Sequence, residues 1–152
     1  MNTNQELFDK LEKEELKIAS FKKRFLAYIV DSFVILAIVS VILFDKINSM
    51  QTYDEIHNIL MRFAGGILIL QFVYHSLFTY LYGATLGKML LKIMVIDQEL
   101  LDKPNLIQSV LRASVRQVSD MLYGLGFAWA LSNIVLKTWH DYVAKTVVID
   151  LA

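Results

Sequence analysis

Two long apolar runs dominate the pattern of hydrophobic and polar positions. Residues 25–44 contain a single charged residue, Asp31, and residues 63–82 contain no formally charged residue. At a rise of about 1.5 Å per residue, a helix of this length covers roughly 30 Å, the thickness of a bilayer core. The pattern therefore predicts two transmembrane helices, over residues 25–44 and 63–82.

A third apolar region is less regular. Polar side chains recur in it at spacings of three and four, on one face of a predicted helix: Ser109, Arg112, Arg116, Asp120 and Tyr123. The stretch 121–136 that follows has no charge, but Gly124 and Gly126 interrupt it. The region 106–136 is predicted either as an interfacial helix with a short span over 121–136, or as a helical hairpin that turns at these glycines.

Two short runs rich in β-branched residues, 93–97 and 146–150, each end in Asp. They could pair as a small sheet, which would place both on one side of the membrane and favour the hairpin. Residues 1–20 carry a loose apolar stripe and are predicted to form an amphipathic juxtamembrane helix. The predicted fold class is therefore an all-α membrane protein, with this helix at 1–20 and a membrane domain over 21–150.

The distribution of Lys and Arg predicts the orientation, because cytoplasmic loops are enriched in both. Cations flank the first run at Lys17, Lys22, Lys23 and Arg24, and follow the second at Lys88, Lys92, Lys103, Arg112 and Arg116. The loop 45–62 holds only Lys46 and Arg62. We expect a cytoplasmic N-terminus, and we expect the first apolar run to be a retained anchor because a charged segment precedes it.

Composition supports a lipid environment and narrows the function classes. Of 152 residues, 56% are hydrophobic, above the roughly 45–50% of soluble domains. The formal net charge is zero, so no basic field for nucleic acid is expected. The chain has no cysteine, which excludes disulfides and thiol nucleophiles. No nucleophile and base stand at a usable spacing, so neither enzymatic activity nor a cofactor is predicted.

Asp31 is the main candidate for chemistry, since an ionised carboxylate in hydrocarbon is costly without a partner. It lies about 9 Å and His75 about 10.5 Å below the cytoplasmic edge of their spans, so the two are predicted to pair as a proton-binding unit. His75 could instead be satisfied by neighbours in its own helix. Arg112, Arg116 or His140 is then the alternative partner of Asp31, whose role is either structural or in ion movement.

Two further motifs have simpler interpretations. The stretch YGATLGKML has too few residues between Gly83 and Gly87 for a phosphate-binding loop, so it is predicted to be a turn at the membrane exit with Lys88 at the headgroups. His140 and Asp141 are adjacent and therefore point apart on a helix, and no third ligand stands at metal spacing. No metal site is predicted.

Three motifs in order, RFLAYIVDSFVIL, GATLGKMLLKIMVID and HDYVAKTVVI, resemble the RDD family of small bacterial membrane proteins. The family is named for one Arg and two Asp. The resemblance implies that Arg24 and Asp31 are the first two, and that the second Asp is Asp97 or Asp141, the latter beside His140. Met89 stands where the family often has Arg.

The resemblance implies a multi-pass protein of the bacterial inner membrane that is associated with transport, with monovalent cation/proton exchange proposed for some members. Two or three helices hardly enclose a pathway, so a homo-oligomer in the lipid bilayer is expected. The alternative is a non-enzymatic accessory or assembly subunit of a larger membrane complex.

Overall fold

The computed structural model of the chain describes residues 3–49, 52–122 and 125–152. Most of these residues are helical. The α-helices are α1 Thr3–Lys13, α2 Phe21–Ile42, α3 Phe44–Asn48, α4 Tyr53–Tyr82, α5 Leu86–Leu90, α6 Leu106–Met121, α7 Leu125–Ala128 and α8 Trp139–Val143. A 3-10 helix covers Trp129–Ser132, and the strands are β1 Lys17–Ile18, β2 Ile93–Asp97 and β3 Thr146–Asp150.

Helices α2 and α4 are long and apolar enough to cross a membrane, as the two apolar runs predict. The two helices begin at Phe21 and Tyr53, before the predicted starts at residues 25 and 63, because a polar residue caps each of them. The Ser20 hydroxyl accepts from the Lys23 amide, and Thr52 forms a capping box with Glu55. None of the most apolar window of α4 is buried, which distinguishes it from the core helix of a soluble domain.

A three-stranded antiparallel sheet joins the two ends of the chain, in the order β1-β3-β2. The predicted pairing of 93–97 with 146–150 is confirmed, with Val95 opposite Val148. The third strand, β1, pairs Ile18 with Ile149 and was not predicted. The fold is therefore mostly helical rather than all-α, because the β-branched runs find partners outside the helices.

The N-terminal helix is shorter than the predicted 1–20, since α1 ends at Lys13 and the chain then enters β1. Leu7 and Leu11 of α1 are buried in one core with Val147 and Ile149 of β3. The apolar stripe of α1 therefore packs on the sheet. That the helix rests at the membrane surface stays a prediction.

The described residues contain no continuous helix over 121–136, so the predicted short span is not found. Helix α6 ends at Met121, and α7 with four residues is about 6 Å long, far less than a bilayer core. Helix α6 lies along α4, where the Gln117 Nε2 donates to the Leu68 carbonyl at 2.5 Å. The predicted turn at Gly124 and the polar position Tyr123 lie outside the described residues.

Candidate functional site

A small cavity of about 20 Å³ lies where α2, α5, α6 and α8 meet beside β3. Its walls carry an unusual number of charged and titratable side chains for so small a space. We call this set the polar cluster: Arg24, Asp31, Lys88, Arg112, Arg116, His140 and Asp141. Charged side chains are seldom buried without partners, so the partners of each member indicate its role.

The Asp31 carboxylate is fully buried and accepts three hydrogen bonds. Tyr74 Oη donates to Oδ1 at 2.7 Å, and the Gly87 amide donates to the same oxygen at 2.9 Å. The Thr85 hydroxyl donates to Oδ2 at 2.6 Å. These donors belong to α4, to α5 and to the residue that precedes α5, so Asp31 ties α2 to both neighbouring elements.

Two glycines make this approach possible. Gly83 ends α4 with φ of 69°, a left-handed conformation that favours glycine. A Cβ on Gly87 would lie 2.3 Å from the Ala27 carbonyl oxygen and 3.0 Å from Asp31 Cγ. The absence of a side chain at Gly87 therefore lets α5 contact the backbone of α2 directly.

Asp141 is the counter-ion of two arginines. Its Oδ1 forms an ion pair with Arg112 Nη1, and its Oδ2 lies 3.6 Å from Arg24 Nη1. The Thr138 hydroxyl and amide donate to Oδ2 at 2.7 and 3.0 Å, in the capping box of α8. Burial alone would raise the pKa of the Asp141 carboxyl, but the permanent charges of Arg112 and Arg24 hold it well below its usual range.

Arg24 is buried at the start of α2. Its Nε donates to the Ala19 carbonyl and its Nη2 to the Val148 carbonyl, both at 3.1 Å. Its Nη1 donates to the Leu136 carbonyl. The guanidinium thus satisfies backbone carbonyls of the sheet and of the segment before α8, which joins the start of α2 to both.

Lys88 is a buried cation without a counter-ion among the described residues, whereas the sequence predicted it at the headgroups. Only 7% of the residue is exposed, because α5 turns this side chain towards α2 and α6. No carboxylate of the described residues lies within 4 Å of its Nζ. Burial lowers the pKa of Lys88 to about 7, with help from Arg112 and Arg116 and against the attraction of Asp31 and Asp141.

His140 and Arg116 each contribute a buried nitrogen without a partner. Among the described residues, nothing accepts from or donates to His140 Nδ1, and nothing accepts from Arg116 Nε. The carboxylate of Asp120 lies 3.7 Å from Arg116 Nε, beyond hydrogen-bond distance. Burial and the nearby Arg112 hold the pKa of His140 well below its usual value, which keeps the imidazole neutral.

The predicted pair of Asp31 with His75 does not form. All three hydrogen-bond donors to Asp31 are other residues, and Tyr74 takes the place expected of His75. The His75 ring packs edge-on against Tyr74, with ring centroids 5.0 Å apart. Equal depth in two spans means that two side chains lie at the same level in the membrane, but it does not say which way each side chain points. Adjacent residues of a helix, such as Tyr74 and His75, point about 100° apart.

Asp97 lies outside the polar cluster, at the end of β2. Its carboxylate accepts from the Glu99 and Leu100 amides at 2.5 and 2.9 Å and from the Gln108 side chain. It closes the turn after β2 and links it to the start of α6. Of the two alternatives for a second motif Asp, the structure groups Asp141 with the other motif residues.

Several residues of the site were not singled out from sequence. Tyr74 and Thr85 donate hydrogen bonds to the Asp31 carboxylate, and Thr138 donates one to Asp141. Arg112 pairs with Asp141 and not with Asp31. The Thr138 and Asp141 pair carries a recognisable signal, a threonine followed three residues later by an acid at a helix start. Tyr74 and Thr85 carry none, because their role depends on long-range packing.

The family assignment agrees with this geometry. The sequence model of the RDD family matches residues 18–145, a range that contains every member of the polar cluster. No curated protein and no solved structure has significant similarity to the chain. Since the family match covers most of the sequence, with two of the motifs that carry the resemblance and the first part of the third, the chain belongs to the RDD family.

Proposed function

We propose that this protein is a transport-associated, multi-pass protein of the bacterial inner membrane, in which the polar cluster takes up and releases a proton at Lys88. One observation carries the proposal. The Lys88 ammonium is buried beside Arg112 and Arg116 with no carboxylate within 4 Å among the described residues. Burial disfavours the charged form of a lysine, so such a group exchanges its proton near neutral pH.

The proposed topology follows from the sheet. Hydrogen-bonded strands lie on one side of a membrane, so β1, β2 and β3 bring the N-terminal segment, the segment after α4 and the C-terminus to the same side. The Lys and Arg distribution makes this side cytoplasmic. Helices α2 and α4 are then the two spans. The segment between β2 and β3 begins and ends on the cytoplasmic side.

The proton is the proposed species because the charges of the polar cluster oppose a metal cation. Four cationic side chains surround the cavity, and its two carboxylates already accept hydrogen bonds from protein groups. A sodium or potassium ion there would meet net repulsion. Two spans do not enclose a pathway, so we propose that the protein works as a homo-oligomer.

A second candidate, a non-enzymatic accessory or assembly subunit, is favoured by the bonding of Asp31. Its carboxylate joins α2 to Tyr74 of α4 and to Thr85 and Gly87. A carboxylate satisfied in this way acts as a structural linker. In this alternative the polar cluster fixes the packing of the helices against a larger membrane partner.

Reconstituted vesicles distinguish the two candidates. With a pH-sensitive dye inside and an imposed pH gradient, the wild type is expected to dissipate the gradient faster than empty vesicles do. Lys88→Met removes the titratable amine at similar length and is expected to reduce the rate to that of empty vesicles. Lys103→Met, on the exposed loop before α6, is the matched control and keeps the wild-type rate.

Equal rates for Lys88→Met and the wild type would contradict the proton role. A wild type that conducts no protons but purifies with a stoichiometric membrane partner would favour the accessory subunit.

A further inference from the structure

We infer that the cavity of the polar cluster binds one halide-sized anion, held by Lys88, Arg116 and His140. The inference rests on the proposed function in one respect, that Lys88 carries a proton when the anion is bound. It adds a ligand that the proposed function does not include. Three observations support it: the balance of charge, the unpartnered nitrogens and the size of the cavity.

The charges around the cavity do not balance when Lys88 is protonated. Four cationic side chains line it, and two carboxylates, Asp31 and Asp141, lie among them. Asp120 adds a third carboxylate 3.7 Å from Arg116. The group as a whole therefore carries one more positive than negative charge, and Lys88 is the member with no carboxylate of the described residues within 4 Å of its Nζ. A monovalent anion in the cavity would neutralise this excess charge.

Side chains that line the cavity also carry nitrogens without a hydrogen-bond partner in the described part of the protein. Arg116 Nε and His140 Nδ1 are buried without a hydrogen-bond partner there. Lys88 Nζ has no carboxylate within 4 Å among the same residues. The Arg Nε–H and the ammonium are donors only, and a neutral imidazole donates from Nδ1 in one tautomer. Three donors on side chains that line one cavity suit an anion.

The volume limits the size of the ligand. A cavity of about 20 Å³ holds one particle about as large as a water molecule. Chloride and bromide are single atoms of comparable size. Phosphate and carboxylate groups are larger, and the bonds of Asp31 to three neighbours oppose an expansion of the walls. The inferred ligand class is therefore a halide.

Proton and anion are expected to bind together. The titratable or charged groups that line the cavity with Lys88 are Arg24, Tyr28 and Asp31 from α2, Arg112 and Arg116 from α6, and His140 and Asp141 from α8. From α4, His75 lies near Lys88. None of them supplies a free negative charge. An anion would therefore favour protonated Lys88, and by reciprocity a protonated Lys88 would favour the anion.

Proton uptake on addition of chloride tests this coupling. Purified protein in detergent, at pH 7 with a dye as the only buffer, receives potassium chloride or, as the control for ionic strength, potassium gluconate. Lys88 with a pKa of about 7 is half protonated at this pH, so saturating chloride should cause uptake of about half a proton per chain. Gluconate is too large for the cavity and should cause none.

Variants test whether the proton taken up on chloride binding goes to Lys88. Lys88→Met should abolish the chloride-dependent uptake, and Lys103→Met should retain it in full. Lys88→Arg keeps a permanent cation, so chloride should still raise its melting temperature relative to gluconate, but without proton uptake. This variant keeps the test decisive if Lys88→Met fails to fold.

Equal responses of the wild type to chloride and gluconate would overturn the inference, as would chloride-dependent uptake that persists in Lys88→Met or Lys88→Arg. The proposed function fails separately. Chloride-linked uptake in a protein that conducts no protons would retain the anion site and remove the transport role. Proton conduction without any chloride-specific effect would retain the transport role and remove the anion site.

Discussion

Asp141 and Arg112 form an ion pair in which both side chains are almost fully buried, with 0% and 6% of their surface exposed. The same carboxylate lies 3.6 Å from Arg24. One acid on α8 is thus shared by two cations, on α6 and at the start of α2. These three elements form the walls of the cavity beside Lys88, so the position of the candidate proton-binding site depends on this pair.

Removal of Asp141 should therefore be costly. Asp141→Ala leaves Arg112 and Arg24 buried without a counter-ion, and breaking a buried pair in this way costs about 3–5 kcal/mol. The measurement is the free energy of unfolding in detergent. Glu99→Ala is the control, because Glu99 pairs with Lys145 at the exposed surface, with 68% and 65% of the side chains exposed, and should change little. Equal losses in the two variants would contradict a structural role for Asp141.

Gly87→Ala tests the contact of α5 with α2. The new Cβ would meet the Ala27 carbonyl at 2.3 Å, which forces α5 away and weakens the bond from the Gly87 amide to Asp31. Overpacking of this kind costs about 1–3 kcal/mol of the free energy of unfolding. Gly65→Ala in α4 is the matched control, since no atom of the described residues lies within 4 Å of where its new Cβ would be. A tolerated Gly87→Ala would mean that α5 is not held against α2.

Asp31→Asn separates a structural carboxylate from a proton carrier. The Asn oxygen can accept from Tyr74 and Gly87, and its amide can donate to the Thr85 hydroxyl, which also accepts. We expect a loss of about 1 kcal/mol in the free energy of unfolding and proton flux in vesicles close to that of the wild type. A folded Asp31→Asn variant without proton flux would assign the proton to Asp31 instead of Lys88.

The spans and the pairing of β2 with β3 could be predicted because their signals are local. A long run of apolar residues or a short run of β-branched ones is visible in the sequence itself. Strand β1 has only two residues, too few to show an alternating pattern. Its existence depends on β3, which lies at the other end of the chain.

The candidate site was harder to predict because its contacts join distant segments. Lys88 follows a glycine at the end of a span, a position typical of a headgroup contact. Its burial depends on α6, which brings Arg112 and Arg116 beside it. The pair of Asp31 with His75 failed for a related reason, since depth along a helix says nothing about which face meets α2.

The proposed topology has three cytoplasmic segments. Alkaline phosphatase fused after Ser49 should be active, because this topology puts the loop between the spans outside. Fusions after Lys103 and after Ala152 should be inactive, since the sheet holds both segments on the side of the N-terminus. An active fusion at Ala152 together with an inactive one at Lys103 would contradict the paired strands.

The central claim is that Lys88 exchanges a proton near neutral pH, and the most direct measurement is the titration of this one amine. The protein is labelled with 13C at the lysine Cε positions and followed by NMR in detergent, and Lys88→Met identifies the resonance. We expect this resonance to shift with a midpoint near pH 7, since burial lowers the pKa of Lys88 to about 7, with the ammonium form below the midpoint and the neutral amine above it. A Lys88 resonance that titrates only above about pH 10, as in an exposed lysine, would contradict the account.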